Sequence, residues 1–427
     1  MPKRIAFLTL GCAKNEVDSA QMQEDLVRAG FDIVDVEAPF DALVINTCAF
    51  IQPAIEESID TILDAAALES ISSGQAKLVV AGCLSSRFGE ELESELTEVQ
   101  TFVPCAEEDH IVESIQALFP DEPLQERSVE FTYKPSEYVK ISDGCSRHCA
   151  FCTIPFIRGP YHSFTYESIR QEVATKVSGG AQEIVLIAQD SGIWGLDLKP
   201  RESLASLLEH LAIEFPLTWF RVMYLQPAGI TDELIQVMAT HENICSYLDI
   251  PLQHCDPVIL KSMNRTGSRE EFLNLVERLR SEVPGIALRT TLIVGYPGET
   301  DDQFDTLCSF VEDAEFDYVG VFAYSPEEGT VAAALPNQID DDTKQERLQA
   351  IRDIADAVSA QKISERIGSP CDVLVLGEEE DGQRFGRCQS QAPDVDGVTY
   401  IDCGEIGQRV SCVIEDTLLY EMEASGE

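Results

Sequence analysis

Short apolar runs alternate with longer helical stretches over the first ~120 residues of the chain. The candidate strands are Ile5–Leu10, Ala42–Asn46 and Leu78–Ala81. The candidate helices are Val17–Ala29, which Gly30 can end, and Ile55–Leu68. This alternation predicts an N-terminal α/β domain in which helices cover a parallel sheet.

A second series of strand–helix units follows a linker rich in proline and charge, Phe119–Glu137. The candidate strands are Val139–Ile141, Glu183–Ala188, Trp219–Tyr224, Tyr247–Ile250, Ala287–Val294 and Tyr318–Phe322. The candidate helices include Thr231–Ala239, Arg269–Glu282 and Asp301–Glu312. About six such units predict a full or partial TIM-like barrel, whose chemistry lies on loops at the carboxyl ends of the strands.

The end of the chain changes character after an acidic helical segment, Asp341–Ile367. Short strand-like runs with glycine-containing turns fill the last ~60 residues: Cys371–Leu376, Phe385–Gln389, Thr399–Asp402 and Gln408–Glu415. Short strands closely spaced in this way predict a small β-barrel. The chain is therefore a multidomain α/β protein, with domains expected at residues 1–122, 131–362 and 363–427.

The cysteine content points to a reducing compartment. Fourteen cysteines in 427 residues do not have the spacing of a small secreted disulfide module, so free thiols and bound metal are expected. The apolar start Ile5–Leu10 is too short for a signal peptide, and Lys14–Glu16 interrupts it at once. No run approaches the ~20 apolar residues that span a bilayer. We therefore expect a soluble cytoplasmic protein.

The chain is strongly acidic, with a formal net charge of −46 from 76 acidic and 30 basic residues. Enzymes that act on nucleic acid usually present a basic surface, because phosphate contacts supply much of their affinity. The charge therefore favours a basic protein partner over RNA. Adaptation to high salt explains the same acidity equally well, so charge alone does not identify the substrate.

Three cysteines lie close together in the run Asp-Gly-Cys-Ser-Arg-His-Cys-Ala-Phe-Cys, a C-x3-C-x2-C spacing formed by Cys145, Cys149 and Cys152. Three thiolates on one tight loop can hold three irons of a 4Fe–4S cluster and leave the fourth iron open to a small molecule. A zinc site is the alternative, but zinc normally takes a fourth ligand and C-x2-C pairs. The preceding Tyr138-Val139-Lys140 adds to the specificity of the run.

A second group of three cysteines follows the strands of the N-terminal domain: Cys12, Cys48 and Cys83. Because the carboxyl ends of parallel strands meet at one edge of a sheet, these thiols are expected to converge on one ligand site. The alternative is three buried small residues, since free cysteine packs well. The remaining cysteines are interpreted as ordinary reduced thiols, and Cys105 is near enough in sequence to be considered as an extra ligand.

The Cys145 run resembles that of the radical S-adenosylmethionine (SAM) enzymes, and the whole chain resembles the methylthiotransferases among them. The further matching segments are Thr9–Asn15, Cys48, Cys83, Ile154–Pro155, Arg158–Gly159, Val294–Thr300 and Tyr324–Thr330. The resemblance implies an N-terminal methylthiotransferase domain, a radical SAM barrel and a C-terminal TRAM β-barrel. It also implies two 4Fe–4S clusters, one on each group of three cysteines, with SAM as co-substrate.

Two segments of the sequence favour one branch of this family. Lys14–Ser19 and Tyr247–His254 are similar to the enzymes that modify an aspartate of the small-subunit ribosomal protein S-twelve. The tRNA adenosine 2-methylthiotransferases of the MiaB type are the alternative, and an iron–sulfur electron carrier is a weaker one. Ser364–Glu427 holds 15 acidic and 4 basic residues, which disfavours an RNA clamp.

The implied reaction replaces a hydrogen on the β-carbon of the target aspartate with a methylthio group. The resemblance implies that one SAM is cleaved at the Cys145 cluster to a 5′-deoxyadenosyl radical, which abstracts the hydrogen. A second SAM would methylate the sulfur held at the Cys12 cluster. The sequence does not identify the sulfur donor or the reductant.

Five further residues are candidate cofactor contacts. Gly295, Gly298 and Glu299 follow a strand, where they could contact SAM or simply form a turn. Gln189 ends another strand and could bind the ribose or belong to a helix cap. Arg158 could neutralise a carboxylate of SAM or substrate, or form a surface ion pair.

Overall fold

A computed structural model describes residues 2–121 and 125–426 of the chain. In chain order they form a parallel α/β sheet, a barrel of strand–helix units and a small closed β-barrel, which confirms the predicted fold class. The predicted domain boundaries stay predictions, and residue 122 lies outside the described residues. In the part of the chain that is described, no helix combines the length and apolar character needed to cross a membrane.

The N-terminal sheet has five parallel strands in the order β2-β1-β3-β4-β5. Its elements are β1 (Arg4–Thr9), α1 (Ala13–Ala29), β2 (Asp32–Val34), β3 (Ala42–Thr47), α2 (Gln52–Ala67), α3 (Glu69–Ser72), β4 (Lys77–Gly82), α4 (Cys83–Glu95), β5 (Thr101–Pro104) and α5 (Ile111–Leu118). Sequence analysis does not predict the edge strands β2 and β5, which have only 3 and 4 residues and so show little periodicity.

Side chains of the central strands alternate between two cores, as the period of a strand requires. Leu43 and Ile45 pack in the core that includes Ile62 of α2, whereas Val44 packs in the core with Met22 of α1. The sheet is thus covered by helices on both faces, and its carboxyl edge is left for the loops that carry cysteines.

The middle part begins at β6 and ends with the long helix α13. Its elements are β6 (Ser136–Lys140), β7 (Ser142–Asp143), α6 (Ile154–Ile157), β8 (His162–Ser163), α7 (Tyr166–Ser178), β9 (Glu183–Ile187), α8 (Leu204–Glu214), β10 (Trp219–Val222), α9 (Asp232–Thr240), β11 (Tyr247–Gln253), α10 (Pro257–Ser262), α11 (Arg269–Glu282), β12 (Ala287–Val294), α12 (Asp301–Ala314), β13 (Tyr318–Ala323) and α13 (Asp341–Ser364). The predicted strands and the predicted helices of this part are all present.

The six main strands of the middle part form two parallel sheets, β6-β9-β10 and β11-β12-β13. A parallel bridge between Phe220 and Ile244 joins them, and one hydrophobic core runs through both. The longer helices of this part begin at residues whose side-chain oxygen accepts a backbone N–H, for example Thr231, Ser268 and Thr300. The result is the partial TIM-like barrel that the repeated units predict.

The C-terminal part is a closed barrel in the order β14-β15-β16-β18-β17. Its strands are β14 (Pro370–Glu378), β15 (Arg384–Cys388), β16 (Thr399–Ile401), β17 (Arg409–Leu418) and β18 (Glu421–Gly426). It shares a core with the middle part, in which Val373 and Val375 pack with Val185 and Trp219. A small barrel is therefore fixed against the large one.

A buried ion cluster reinforces this joint. The Glu183 carboxylate of β9 pairs with Arg221 of β10 at 2.9 Å and with Arg387 of β15 at 2.7 Å. Arg221 also donates to the carbonyl of Gln389 at 2.8 Å. The two guanidinium groups hydrogen-bond both oxygens of the Glu183 carboxylate. A buried charge needs such partners, because burial without them is costly.

Candidate active site

Each cysteine of the N-terminal triad (Cys12, Cys48 and Cys83) stands at the carboxyl edge of the sheet. Cys12 directly precedes α1, Cys48 follows β3 and Cys83 begins α4 directly after β4. Cys48 and Cys83 are buried, whereas Cys12 is exposed. The strands β1, β3 and β4 are neighbours in the sheet, so the three loops meet.

The barrel triad (Cys145, Cys149 and Cys152) lies on the loop between β7 and α6. The Cys145 N–H donates to the carbonyl of Gly159 at 3.1 Å, and the Cys152 N–H donates to the carbonyl of Cys149 at 3.1 Å. Arg265 approaches the Cys149 sulfur at 3.8 Å. Cys145 is buried and the other two are partly exposed, so the loop is folded tightly around its thiols.

The two triads lie on loops that face each other. Thr153, directly after the barrel triad, donates to the carbonyl of Phe50, two residues beyond Cys48, at 3.1 Å. From the other end of the short helix α6, Arg158 Nη2 lies 3.9 Å from Cys83 Sγ. The structure therefore brings together two groups of cysteines that are far apart in sequence.

Glycine precedes a cysteine at three positions, and each glycine has a positive φ: 99° at Gly11, 90° at Gly82 and 68° at Gly144. A Cβ on Gly82 would lie 2.1 Å from Asn46 Oδ1, and one on Gly144 would lie 2.3 Å from the Pro160 carbonyl oxygen. Only glycine combines this backbone with this close approach. The repeated Gly-Cys pair is a sequence signal for the site that the analysis of spacing alone does not use.

Asn15 is a buried residue of the site that sequence analysis does not single out. Its Nδ2 donates to the carbonyls of Leu10 at 2.8 Å and Thr47 at 2.9 Å, the residues near Cys12 and before Cys48. Its Oδ1 accepts from Arg158 at 3.1 Å. One amide side chain thus ties together two cysteine loops and the barrel.

Each triad consists of thiols, which are ligands of zinc and of iron–sulfur clusters alike. Within residues 2–121 and 125–426, no three Cys, His, Asp or Glu side chains are close enough together to hold one metal ion. A zinc ion needs all its ligand atoms at about 2.0–2.3 Å from one centre. A 4Fe–4S cluster binds each thiolate through a different iron, so its sulfurs stand further apart. Both triads offer the thiol ligands that such a cluster takes.

The thiols would have to lose protons on binding iron. Burial raises the pKa of Cys152 to about 12, and burial also raises the pKa of Cys48 and of Cys145. Because thiolates are the ligands, metal binding at these sites releases protons. The pKa of Cys105 is raised by a side-chain hydrogen bond with Cys83 and by burial, which puts this thiol beside the N-terminal triad.

Three buried acceptor oxygens near the ends of β9 and β11 have no protein partner in the described part of the chain: Gln189 Oε1, Asp190 Oδ1 and Gln253 Oε1. Asp190 is tied to the barrel triad loop because its other oxygen pairs with Arg147. Buried acceptors without donors are costly. They fit a ligand with N–H and O–H donors, such as the amino group and ribose of SAM, and the contact predicted for Gln189 stays a prediction.

Arg158 is only 2% exposed, so it does not form the surface ion pair considered as an alternative. It donates to Asp18 at 2.7 Å and lies 3.3 Å from Asp143 Oδ2. Its carboxylate partners in the structure belong to the protein itself. Contact of Arg158 with a carboxylate of SAM or substrate stays a prediction.

The loop after β12 is held by its own glutamate. Glu299 Oε2 accepts from the Gly295 N–H at 3.0 Å, and Oε1 accepts from Arg347 of α13 at 2.9 Å. Gly295 and Gly298 have φ values of 70° and 84°, which the turn requires. These bonds give Glu299 a structural role, and the SAM contacts predicted for the three residues stay predictions.

Comparison with known proteins agrees with this architecture. Residues 4–104 match the family described as Uncharacterized protein family UPF0004, residues 139–311 match the Radical SAM superfamily, and residues 367–425 match the TRAM domain. Among solved structures, the radical SAM methyltransferase TsrM from Kitasatospora setae superposes with a TM-score of 0.58. It is 14% identical and covers 78% of this chain and 74% of its own, so it shares the fold.

The fold and the cysteine loops together define a radical SAM enzyme, a transferase. The protein named ribosomal protein uS12 methylthiotransferase RimO from Trichlorobacter lovleyi is 40% identical over 99% of this chain and 98% of its own length. The RimO protein of Clostridioides difficile is 40% identical over 98% of both chains. The chain belongs to the RimO family of methylthiotransferases.

Proposed function

We propose that this enzyme places a methylthio group on the β-carbon of an aspartate in ribosomal protein uS12, the small-subunit protein S-twelve. The observation that carries the proposal is the identity of 40% over 99% of the chain to a relative named as a methylthiotransferase of ribosomal protein uS12. The β-carbon C–H bond is unactivated, so acid–base catalysis has little effect on it and radical chemistry is required. The reaction belongs in the cytoplasm, with the ribosomal protein as substrate.

The two triads are proposed to hold two 4Fe–4S clusters. When bound, the clusters and two molecules of SAM supply the radical that removes the hydrogen and the methylated sulfur that replaces it. The chain's own residues set the geometry. Asn15 fixes two loops of the N-terminal triad, and the bond from Thr153 to Phe50 keeps the barrel triad loop against them.

The SAM molecule that is cleaved is proposed to lie beside the barrel triad. Gln189 and Asp190 present buried acceptor oxygens there, which would orient the amino group or ribose hydroxyls. Gly295 and Gly298 allow a ligand to approach the backbone closely. The role of these residues is to bind and orient, because the reactive groups come with the cofactors.

The charges of the small barrel favour a protein over tRNA as the substrate. In residues 364–426 all four arginines are already engaged: Arg366 with Asp317 at 2.6 Å, Arg384 with Glu378 at 3.6 Å, Arg387 with Glu183 at 2.7 Å, and Arg409 with the Leu217 carbonyl. Arginines tied to the protein's own acceptors offer little to phosphates. The remaining surface is acidic and suits a Lys- and Arg-rich ribosomal protein.

Mass spectrometry of uS12 and of total tRNA from a deletion strain tests the proposal. We expect uS12 from this strain to lack the mass of one methylthio group in place of hydrogen, while tRNA is unchanged. The wild-type gene should restore the modification, and a gene encoding Cys145→Ala should not. Loss of a methylthio group from tRNA with intact uS12 would favour the MiaB-type alternative, and no change in either would favour an electron carrier.

A further inference from the structure

Lys14 is a cation without a carboxylate partner in a site where other cations have one. In the described part of the chain, Lys140 pairs with Asp18 at 2.5 Å, and Arg158 pairs with the same aspartate at 2.7 Å. Arg289 lies 3.5 Å from Asp249. No carboxylate oxygen lies within ion-pair distance of Lys14 in residues 2–121 and 125–426; burial lowers the pKa of Lys14, while Asp143 and Asp249 are near enough to favour its charged form.

The Lys14 ammonium is held by an aromatic ring instead. It lies 3.9 Å from the centroid of Tyr224, which follows β10 at the carboxyl end of the barrel and has a φ of 63°. A cation over an aromatic face is attracted by the ring and keeps its hydrogen-bond donors free for another group. The ring therefore orients the ammonium without neutralising it.

Helix stability does not explain this lysine. Lys14 is the second residue of α1, and a cation in the first turn is repelled by the positive end of the helix dipole. The position therefore disfavours lysine for local structure. It is two residues from Cys12, the exposed thiol of the N-terminal triad.

We propose that Lys14 binds the side-chain carboxylate of the target aspartate and makes the enzyme specific for it. The inference rests on the function proposed above, in which sulfur is delivered from the N-terminal triad to the β-carbon. That carbon is bonded directly to the carboxylate carbon. A carboxylate bound to Lys14 therefore places the reacting β-carbon beside Cys12. An asparagine side chain, or the uncharged nucleobase of a tRNA, would lack the charge-assisted hydrogen bond at the same place.

Peptide binding by the cluster-loaded protein, without reductant or SAM, tests this role. The probes are two fluorescent peptides spanning the target residue of uS12, one with aspartate and one with asparagine. Wild type should bind the aspartate peptide ~10–100-fold more tightly, the range for a hydrogen bond to a charged group. Lys14→Met should bind both peptides alike, and Lys14→Arg should retain part of the preference. Lys134→Met, a change at an exposed lysine of the linker, should behave as wild type.

Iron content and the visible absorption of the clusters are measured on every variant. Values for Lys14→Met equal to wild type are expected. Loss of iron would make Lys14 a support of the cluster and would overturn the inference, as would an aspartate preference that survives in Lys14→Met. Methylthiolation is followed in a separate assay that contains reductant and SAM. If wild type modifies neither the aspartate peptide nor intact uS12 there, the proposed function fails and this inference fails with it. If wild type modifies the substrate but Lys14→Met keeps the preference for the aspartate peptide, the role of Lys14 is rejected and the proposed function stands.

Discussion

Arg158 and Asp18 form a buried ion pair at 2.7 Å, each side chain only 2% exposed, and this pair joins the barrel triad loop to helix α1. Asp18 also accepts from Lys140 of β6 at 2.5 Å. One aspartate of the N-terminal domain thus receives two cations of the barrel. Both cations come from segments flanking the barrel triad, so the relative position of the two triads depends on this contact.

Replacing Asp18 with asparagine is expected to destabilise the enzyme. The change removes one of the two carboxylates that face Lys140 and Arg158 and leaves only Asp143, among the described residues, to pair with both. Breaking a buried pair from one side costs up to about 3–5 kcal/mol. The midpoint of urea unfolding, followed by far-UV circular dichroism, should fall. Arg278→Gln provides a matched control, because Arg278 is 38% and its partner Asp232 is 90% exposed. Exposed pairs contribute about 0–1 kcal/mol, so the urea midpoint of Arg278→Gln should hardly move. Equal shifts of the midpoint in both variants would contradict a stabilising role for the buried Asp18 pair.

Gly82→Ala should selectively reduce iron at the N-terminal triad. The added methyl would lie 2.1 Å from Asn46 Oδ1, at a φ of 90°, so the backbone before Cys83 must move. Because the barrel triad is untouched, we expect iron after reconstitution to fall to about half of the wild-type content. Gly74→Ala is the control: its φ is 77°, but nothing lies within 4 Å of the added methyl. The iron content of Gly74→Ala should equal that of wild type. Equal loss of iron in both variants would mean that backbone strain at a positive φ, and not the contact with Asn46, causes the loss.

The order of the three parts and the strand-end positions of the cysteines were predictable, because both depend on local patterns. Alternating strands and helices fix where a loop falls, and a cysteine after a strand must then lie at the carboxyl edge of a parallel sheet. The edge strand β2 was not predictable in this way, since 3 residues show no period and its pairing with β1 depends on tertiary structure.

The contacts between domains were beyond local patterns as well. Asp18 and Arg158 are 140 positions apart, and nothing in the sequence around either identifies the other as its partner. The same holds for Thr153 and Phe50. The sequence marks Arg158 as a candidate for carboxylate binding, and in the structure its partners are carboxylates of the protein itself. The packing of the two domains determines these partners, and no local pattern shows it.

Acid should weaken the joint between the two barrels through Glu183. Burial alone would raise the pKa of Glu183, but Arg387 and Arg221 outweigh burial and lower it to about 2. A carboxyl whose folded pKa is depressed stabilises the fold above its unfolded pKa of about 4.5, and this contribution is lost as pH falls toward 2. The size of the effect is on the order of 3 kcal/mol.

Urea midpoints measured from pH 7 to pH 3 test the contribution of Glu183. Wild type should lose stability below about pH 4.5. Glu183→Gln should be less stable than wild type at pH 7, because two buried arginines lose their carboxylate, and the difference should narrow as pH falls. A constant difference across this range would mean that Glu183 does not carry the acid sensitivity.

Variants of the two triads should separate SAM cleavage from sulfur insertion. Cys145→Ala removes a ligand of the proposed SAM-binding cluster, so reduced protein should form no 5′-deoxyadenosine from SAM. Cys12→Ala leaves the barrel triad intact and should still form 5′-deoxyadenosine, yet give no methylthiolated uS12. Cys308→Ala, in α12 and outside both triads, should retain both activities. Both products are measured by liquid chromatography with mass spectrometry. Formation of 5′-deoxyadenosine by Cys145→Ala would remove SAM cleavage from the barrel triad, and methylthiolation by Cys12→Ala would remove sulfur delivery from the N-terminal triad.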